Sequence, residues 1–160
     1  MSNQSRTSSE ASRNYRTDPI EWESQDGAIA RSIRFEVFVD EQKVPPESEL
    51  DDIDPIAIHV LSFCAEGVPR GTGRLFPDAA DPTCAHIGRM AVLKAARGSG
   101  CGAAIMDALI AEARARGYRR LVLSAQEHAI GFYEKFGFQA HGPTYLDCNI
   151  PHREMTLNLG

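Results

Sequence analysis

This chain has no apolar run approaching the roughly 20 residues that a membrane-spanning helix requires. It has no paired-cysteine spacing either. Cys64, Cys84, Cys101 and Cys148 are scattered without a C-x-x-C, so no zinc site, other metal site or dithiol redox centre is expected. It has no excess of positive charge: the net charge is −5 and the sequence pI about 5.5, which argues against nucleic acid as the main partner. The first 18 residues, MSNQSRTSSEASRNYRTD, contain no apolar segment, so they are not a secretory signal. Residues 1–17 are expected to form a flexible tail, because they offer little to bury. Residues 18–160 are expected to form one domain. A cytoplasmic setting with reduced thiols and no membrane partner follows as the default expectation.

What remains is an ordinary globular composition, 42% hydrophobic and 24% charged over 160 residues. Internal repeats are absent. The stretch His86 to Gly102, HIGRMAVLKAARGSGCG, stands out. It reads as an apolar strand, a short connection, and a glycine-rich opening to a helix running from Gly98 to about Arg116. Glycines leave backbone amides unshielded by Cβ atoms. The first N–H groups of a helix lack internal partners and sit at the positive end of its dipole. Residues 97–103 therefore suit a phosphate or pyrophosphate. A nucleotide-hydrolysing P-loop needs Lys and then Ser or Thr after its last glycine, and Ala103 and Ala104 stand there instead. Gly98, Gly100 and Ala103 fit a dinucleotide fingerprint, but the following strand RRLVLSAQ has no acid at its end for a ribose. A glycine-rich turn with no ligand stays open from the residues alone.

The rest of the pattern is a mixture of periods. Pro19 to Gln25 reads as a strand. A helix from Gly27 to about Asp40, capped by Asp26, buries Ile29, Ile33 and Val37. Lys43 to Pro55 reads as a loop, and its carboxylates at 47, 49, 51, 52 and 54 are expected to attract a cation by long-range field. Strands follow at Ile56–Ala65 and Gly71–Phe76. Leu121–Ala125 is a continuous apolar strand suited to a sheet centre. A short helix at Ala129–Phe136 precedes a strand pair at Phe138–Leu146 and His152–Leu159. The order predicts an α/β fold, a mixed β-sheet flanked by helices.

Two blocks carry a family resemblance. Arg97-x-x-Gly100-x-Gly102 resembles the R/Q-x-x-G-x-G/A signature of the GNAT superfamily of N-acetyltransferases. About 30 residues on, Ala129-Ile130-Gly131-Phe132-Tyr133-Glu134-Lys135-Phe136-Gly137-Phe138 looks like the family's A-x-x-F-Y-E-K-x-G-F segment. Val37–Gln42, Ser124–His128 and Ile150–Met155 resemble the ElaA-like (YjcF-like) branch.

The resemblance implies the GNAT acyl-CoA N-acyltransferase fold. It implies acetyl-CoA as co-substrate and a small-molecule or peptide primary amine as acceptor, and it is compatible with a homodimer. It implies that Arg97, Gly98, Ser99, Gly100, Cys101, Gly102 and Ala103 hold the pyrophosphate. Met90, Ala91 and Val92 would pair with the pantetheine arm, Gln126 would replace the Asn of many relatives, and Tyr133 would be the acid that protonates the departing sulfur.

A lysine-like amine must lose its proton before it can attack. Glu36, Glu41, His59, His128 and His152 are conceivable bases, with His128 and His152 favoured by the branch pattern. No Ser or Cys constellation for a covalent intermediate is evident, so direct attack in a ternary complex is expected. Two alternatives remain: a non-catalytic CoA-binding regulatory or interaction module, and a thiol enzyme using Cys101 or Cys148. A thiol at 101, at a helix N-terminus, is a candidate for a lowered pKa.

Overall fold

A computed structural model describes residues 11–160; the expected tail over residues 1–10 lies outside them. The ordered chain begins earlier than position 18. Ala11 and Ser12 form a helical turn, and β1 (Arg16–Ile20) is already in the sheet. β1 is an edge strand, which is where Pro19 can sit without costing a ladder hydrogen bond.

Seven strands form one sheet in the order β1-β2-β3-β4-β5-β7-β6. The others are β2 (Ile58–Phe63), β3 (Pro69–Pro77), β4 (Cys84–Val92), β5 (Arg120–Gln126), β6 (Gln139–Asp147) and β7 (Ile150–Asn158). All neighbours are antiparallel except β4 and β5. The helices are α1 (Gln25–Arg34), α2 (Pro46–Glu49), α3 (Cys101–Ala115) and α4 (Ile130–Glu134).

Strand alternation places one helix on each face. Val60, Leu75, Ala85 and Ile87 pack with Ile105, Met106 and Leu109 of α3, whereas Leu61 packs with Ala30 and Ile33 of α1 on the other side. β3 is glycine-rich for a reason of space. A Cβ at Gly73 would lie 2.8 Å from Ile105 and 2.9 Å from the sulfur of Met90. Only hydrogen at that position lets α3 approach.

β4 contains a bulge. The register runs Thr72↔Ala91 but Arg74↔Gly88, so β4 carries one extra residue there. Arg89 takes it up with φ +49°. A one-residue slip reverses which side chains face which way. Before it, Ala85 and Ile87 face α3; after it, Met90 and Val92 do, and Ala91 turns to the α1 side.

α1 starts at Gln25, two residues earlier than expected. Ser24, not Asp26, is the cap, its Oγ accepting from the Gly27 N–H at 3.1 Å. Past Arg34 the helix continues as π-helix over Phe35–Glu41.

The acidic segment is no free loop. Arg34 is fully buried, with Nε on Glu49 at 2.8 Å and Nη1 on Asp54 at 2.7 Å. Arg74 also meets Asp54, at 2.6 Å, and holds Asp51 by two hydrogen bonds, 2.7 and 2.9 Å. Arg89 lies 3.2 Å from Glu49. Three of the five loop carboxylates are thus committed to arginines. The expectation that the loop steers a cation is corrected: its field is cancelled locally.

Removing one partner of a buried pair leaves an uncompensated charge, at a cost of about 3–5 kcal/mol. Asp54→Ala should lose that much unfolding free energy in urea titration, while Asp18→Asn, which breaks the exposed Arg16–Asp18 pair, changes little. Burial alone would raise the Asp51 carboxyl, but the Arg74 hydrogen bonds and charge, with Arg89, hold it at about 2, below the ordinary 3.8. Its contribution is therefore present above pH 3.8 and lost as pH falls toward 2. Asp51→Asn should flatten the fall in stability over that interval.

Candidate active site

β4 and β5 pair only over Cys84–Ile87 and Arg120–Leu123. Beyond that they diverge. Between them opens a cleft of about 850 Å³, within the range of small-molecule sites. Met90 and Val92 line it from β4, Ser124 and Gln126 from β5, Tyr133 from α4 and the glycine-rich loop from the start of α3.

The loop has the geometry the sequence suggested. Gly98 and Gly100 take φ +78° and +96°, and Gly100 is the residue before the first helical turn. Among the described residues, no backbone carbonyl accepts from the N–H groups of Gly98, Gly100, Cys101, Gly102 or Ala103. Arg97 fixes the loop from outside, with Nε donating to the Val92 carbonyl at 3.1 Å and Nη2 2.8 Å from Glu41.

Ala91, Ser99 and Cys101 do not line the cleft. Ala91 is buried on the α1 side, so only its backbone is offered. The Ser99 hydroxyl bonds Ala96 O and, at 2.5 Å, the Tyr15 hydroxyl. Cys101 points into the core, where a Cβ on Gly71 would stand 2.8 Å from its sulfur. Burial pushes its thiol up to about 11, opposite to the lowering expected at a helix N-terminus. The Cys148 thiol is also raised, by desolvation and by Asp147. Among the described residues no histidine acts on either thiol, and the thiol-enzyme alternative loses its basis.

Tyr133 packs edge-on against Phe132 and Phe138. Its hydroxyl has no hydrogen-bond partner among the described residues, although it lines the cleft. Tyr133 is half-buried, so the hydroxyl is open to the cleft rather than sealed in the core. Burial pushes the phenol up to about 12, so it keeps its proton at neutral pH.

The base candidates separate by position. His59 is buried on Trp22, its Nε2 2.9 Å from Asp54 O, and burial lowers its pKa. Glu41 is taken by Arg97 and Glu36 is exposed off the cleft, whereas exposed His128 does line the cleft but places Nε2 2.8 Å from Gln126 Oε1, which occupies that nitrogen. His152 is different. Its Nδ1 lies 2.7 Å from the Ile150 carbonyl, which can only accept, so Nδ1 carries a proton, and in the neutral ring the lone pair is the one on Nε2. It stacks on Tyr145 and lines the cleft opposite Gln126 in the sheet register.

Sequence reasoning missed two site features. The π-helical turn brings Phe38 and Gln42 to the cleft, and the Gln42 and Gln126 amides bond at 2.8 Å. Gln126 is thereby held by protein partners on both sides. The bulge that turns Arg89 toward the cleft has no local sequence signal beyond Gly88.

The comparisons with known proteins agree with this geometry. The sequence signature of the acetyltransferase (GNAT) family matches residues 24–138. The chain belongs to the GNAT family. It is 36% identical over 124 residues to the N-acetyltransferase YjcF of Bacillus subtilis, a match covering 77% of this chain and 86% of that one, whose own role is uncharacterized. The fold superposes on an acyl-CoA N-acyltransferase from Pseudomonas aeruginosa with a TM-score of 0.74 and 32% identity, covering 89% and 97% of the two chains. Escherichia coli ElaA gives 0.76 at 25% identity over 89% and 97%. GNAT membership supports use of an acyl-CoA, and the seven-stranded mixed sheet is the GNAT acyl-CoA N-acyltransferase fold. No described helix is long and apolar enough to cross a membrane.

Coenzyme A should raise the melting temperature of the native chain by binding only the folded state. Valine at Gly98 or Gly100, each at positive φ, should abolish that rise by moving the loop amides. An unchanged rise in both variants would remove the loop from the site.

Proposed function

We propose that this chain transfers the acetyl group of acetyl-CoA to a primary amine by direct attack within a ternary complex, in the cytoplasm. The observation that carries the reading is the unpartnered Tyr133 hydroxyl in the cleft, on the same wall as the glycine loop with its free amides. Acetyl-CoA, when bound, supplies an acyl thioester with a good leaving group.

The chain's own residues supply the rest. Gly98, Gly100, Gly102 and Ala103 offer N–H groups to the pyrophosphate, with Arg97 and Lys135 adding positive charge along that half of the cleft. The diverging edge of β4 at Met90–Val92 offers main-chain groups to an extended arm, as a sheet edge does to an added strand. His152 Nε2 takes the proton that the amine nitrogen gives up as the new C–N bond forms. Tyr133 gives its proton to the sulfur as the C–S bond breaks, and regains one from solvent. The products are the acetamide and the free thiol, so atoms and protons balance.

Release of free thiol from acetyl-CoA in the presence of a panel of amines tests the reading. Tyr133→Phe should keep acetyl-CoA affinity and slow transfer about 10²–10⁴-fold; native turnover in that variant returns Tyr133 to a packing role. His152→Gln should lower kcat about 10²-fold with little change in KM. Tight coenzyme A binding without turnover on any amine would favour a non-catalytic CoA-binding module.

A further inference from the structure

We infer that the acceptor half of the cleft binds a carboxylate: the acceptor is an amine that also carries an acid group, docked on Arg89 and Arg74. This rests on the transferase reading above and deepens it.

The charges on the cleft wall carry the argument. Among the described lining residues the cations are Arg74, Arg89, Arg97 and Lys135, and the only carboxylate is Asp147. Arg97 and Lys135 belong to the glycine-loop half. Arg74 and Arg89 belong to the other half, on β3 and β4. The loop acids that pair with them, Glu49, Asp51 and Asp54, are not among the lining residues, and Glu49 and Asp54 are fully buried.

Both arginines keep unused donors. Arg89 spends only its Nε, which lies 3.2 Å from the Glu49 carboxylate and donates a long hydrogen bond to the Glu49 carbonyl at 3.5 Å. Its Nη2 is 3.9 Å from Asp51, beyond hydrogen-bond reach, and its side chain is 31% exposed. The guanidinium fork is therefore free at its outer edge, the shape that accepts a carboxylate in bidentate fashion. Arg74 is 4% exposed, and its Nε is the single buried side-chain donor without a partner among the described residues. A buried orphan of this kind is costly unless something completes it.

The backbone is arranged around the same spot. Arg89 occupies a positive-φ position in the bulge, a strained conformation for a non-glycine residue. Gly88 lies opposite Arg74 in the register, and a Cβ there would stand 3.9 Å from both Arg74 Nε and the Phe76 ring. Position 88 thus leaves room for a methyl-sized group beside the orphan donor, which is itself sealed from solvent. Asp51 joins the two guanidiniums, holding Arg74 directly and facing Arg89, so both donors belong to one small patch. The free Nε2 of His152 serves the amine end of such an acceptor from the far wall.

The test compares amino acids having one to five carbons between amine and carboxylate with the same amines lacking the carboxylate. Binding is measured by calorimetry on the full chain with coenzyme A present, and turnover with acetyl-CoA. At least one carboxylate-bearing amine should bind roughly 10- to 100-fold more tightly than its partner, the range for a hydrogen bond to a charged group. Arg89→Gln should erase that preference without altering coenzyme A affinity. Gly88→Ala, whose methyl meets only ordinary contacts, should weaken the same acceptor while leaving the melting temperature close to native. Equal or weaker binding of every carboxylate-bearing amine overturns the proposal, as does an unchanged preference in both variants. Turnover of plain amines with no carboxylate preference leaves acetyl transfer standing and removes the subsite. Carboxylate-dependent binding without turnover keeps the subsite and removes the transferase reading.

Discussion

The buried guanidinium of Arg34 holds the amino-terminal half of this protein together. It leaves the last turn of α1 and reaches both Glu49 and Asp54, which frame the segment joining the helix to β2. Asp54 then meets Arg74 on β3, and Glu49 meets Arg89 on β4. Three arginines from three elements are thereby locked to one irregular segment. Such a network is weak evidence for net stability, since desolvation offsets much of the attraction. Its effect is geometric: it fixes where the helix, the segment and two strands meet, which is the edge of the cleft.

The cleft itself follows from β4. Its first half pairs with β5 and its second half does not. The bulge at Arg89 separates the two halves and changes which face each later residue addresses. In the proposed reaction each chemical task falls to a different element: loop amides at the start of α3, a phenol on α4, an imidazole on β7, guanidiniums on β3 and β4. None of these elements is a site alone, and the sheet order makes them neighbours.

The local features were legible in the sequence. The glycine loop, the apolar face of α3 and the last two strands follow from spacing within a few residues, and the structure puts them where that spacing points; Tyr133 came from the family resemblance, and the structure places it in the cleft. Features that depend on distant partners were not legible. Five acids in eight residues look like a solvated, steering loop until Arg34 and Arg74 are seen to bury three of them or turn them inward. Cys101 looks activated by a helix terminus until its side chain is seen facing Gly71, where burial decides its pKa. The free nitrogen of His152 depends on one carbonyl two residues back, and no periodicity announces it. The π-helical turn after Arg34 is likewise silent, because its residues suit an α-helix equally well.

One contact bears on how the protein can be handled. A Cβ on Gly100 would fall 2.5 Å from the Ala11 backbone, so the helical turn at Ala11 rests on the glycine loop, and Tyr15 bonds Ser99 beside it. The other end of the chain leaves β7 next to Arg119 and Arg120, at the end of the sheet away from His152 and Gln126. The first and last described residues are therefore unequal as attachment points. A fluorophore attached at Ala11 would stand against the glycine loop, whereas one attached at Leu159 would sit beside Arg119 at the opposite end of the sheet from His152.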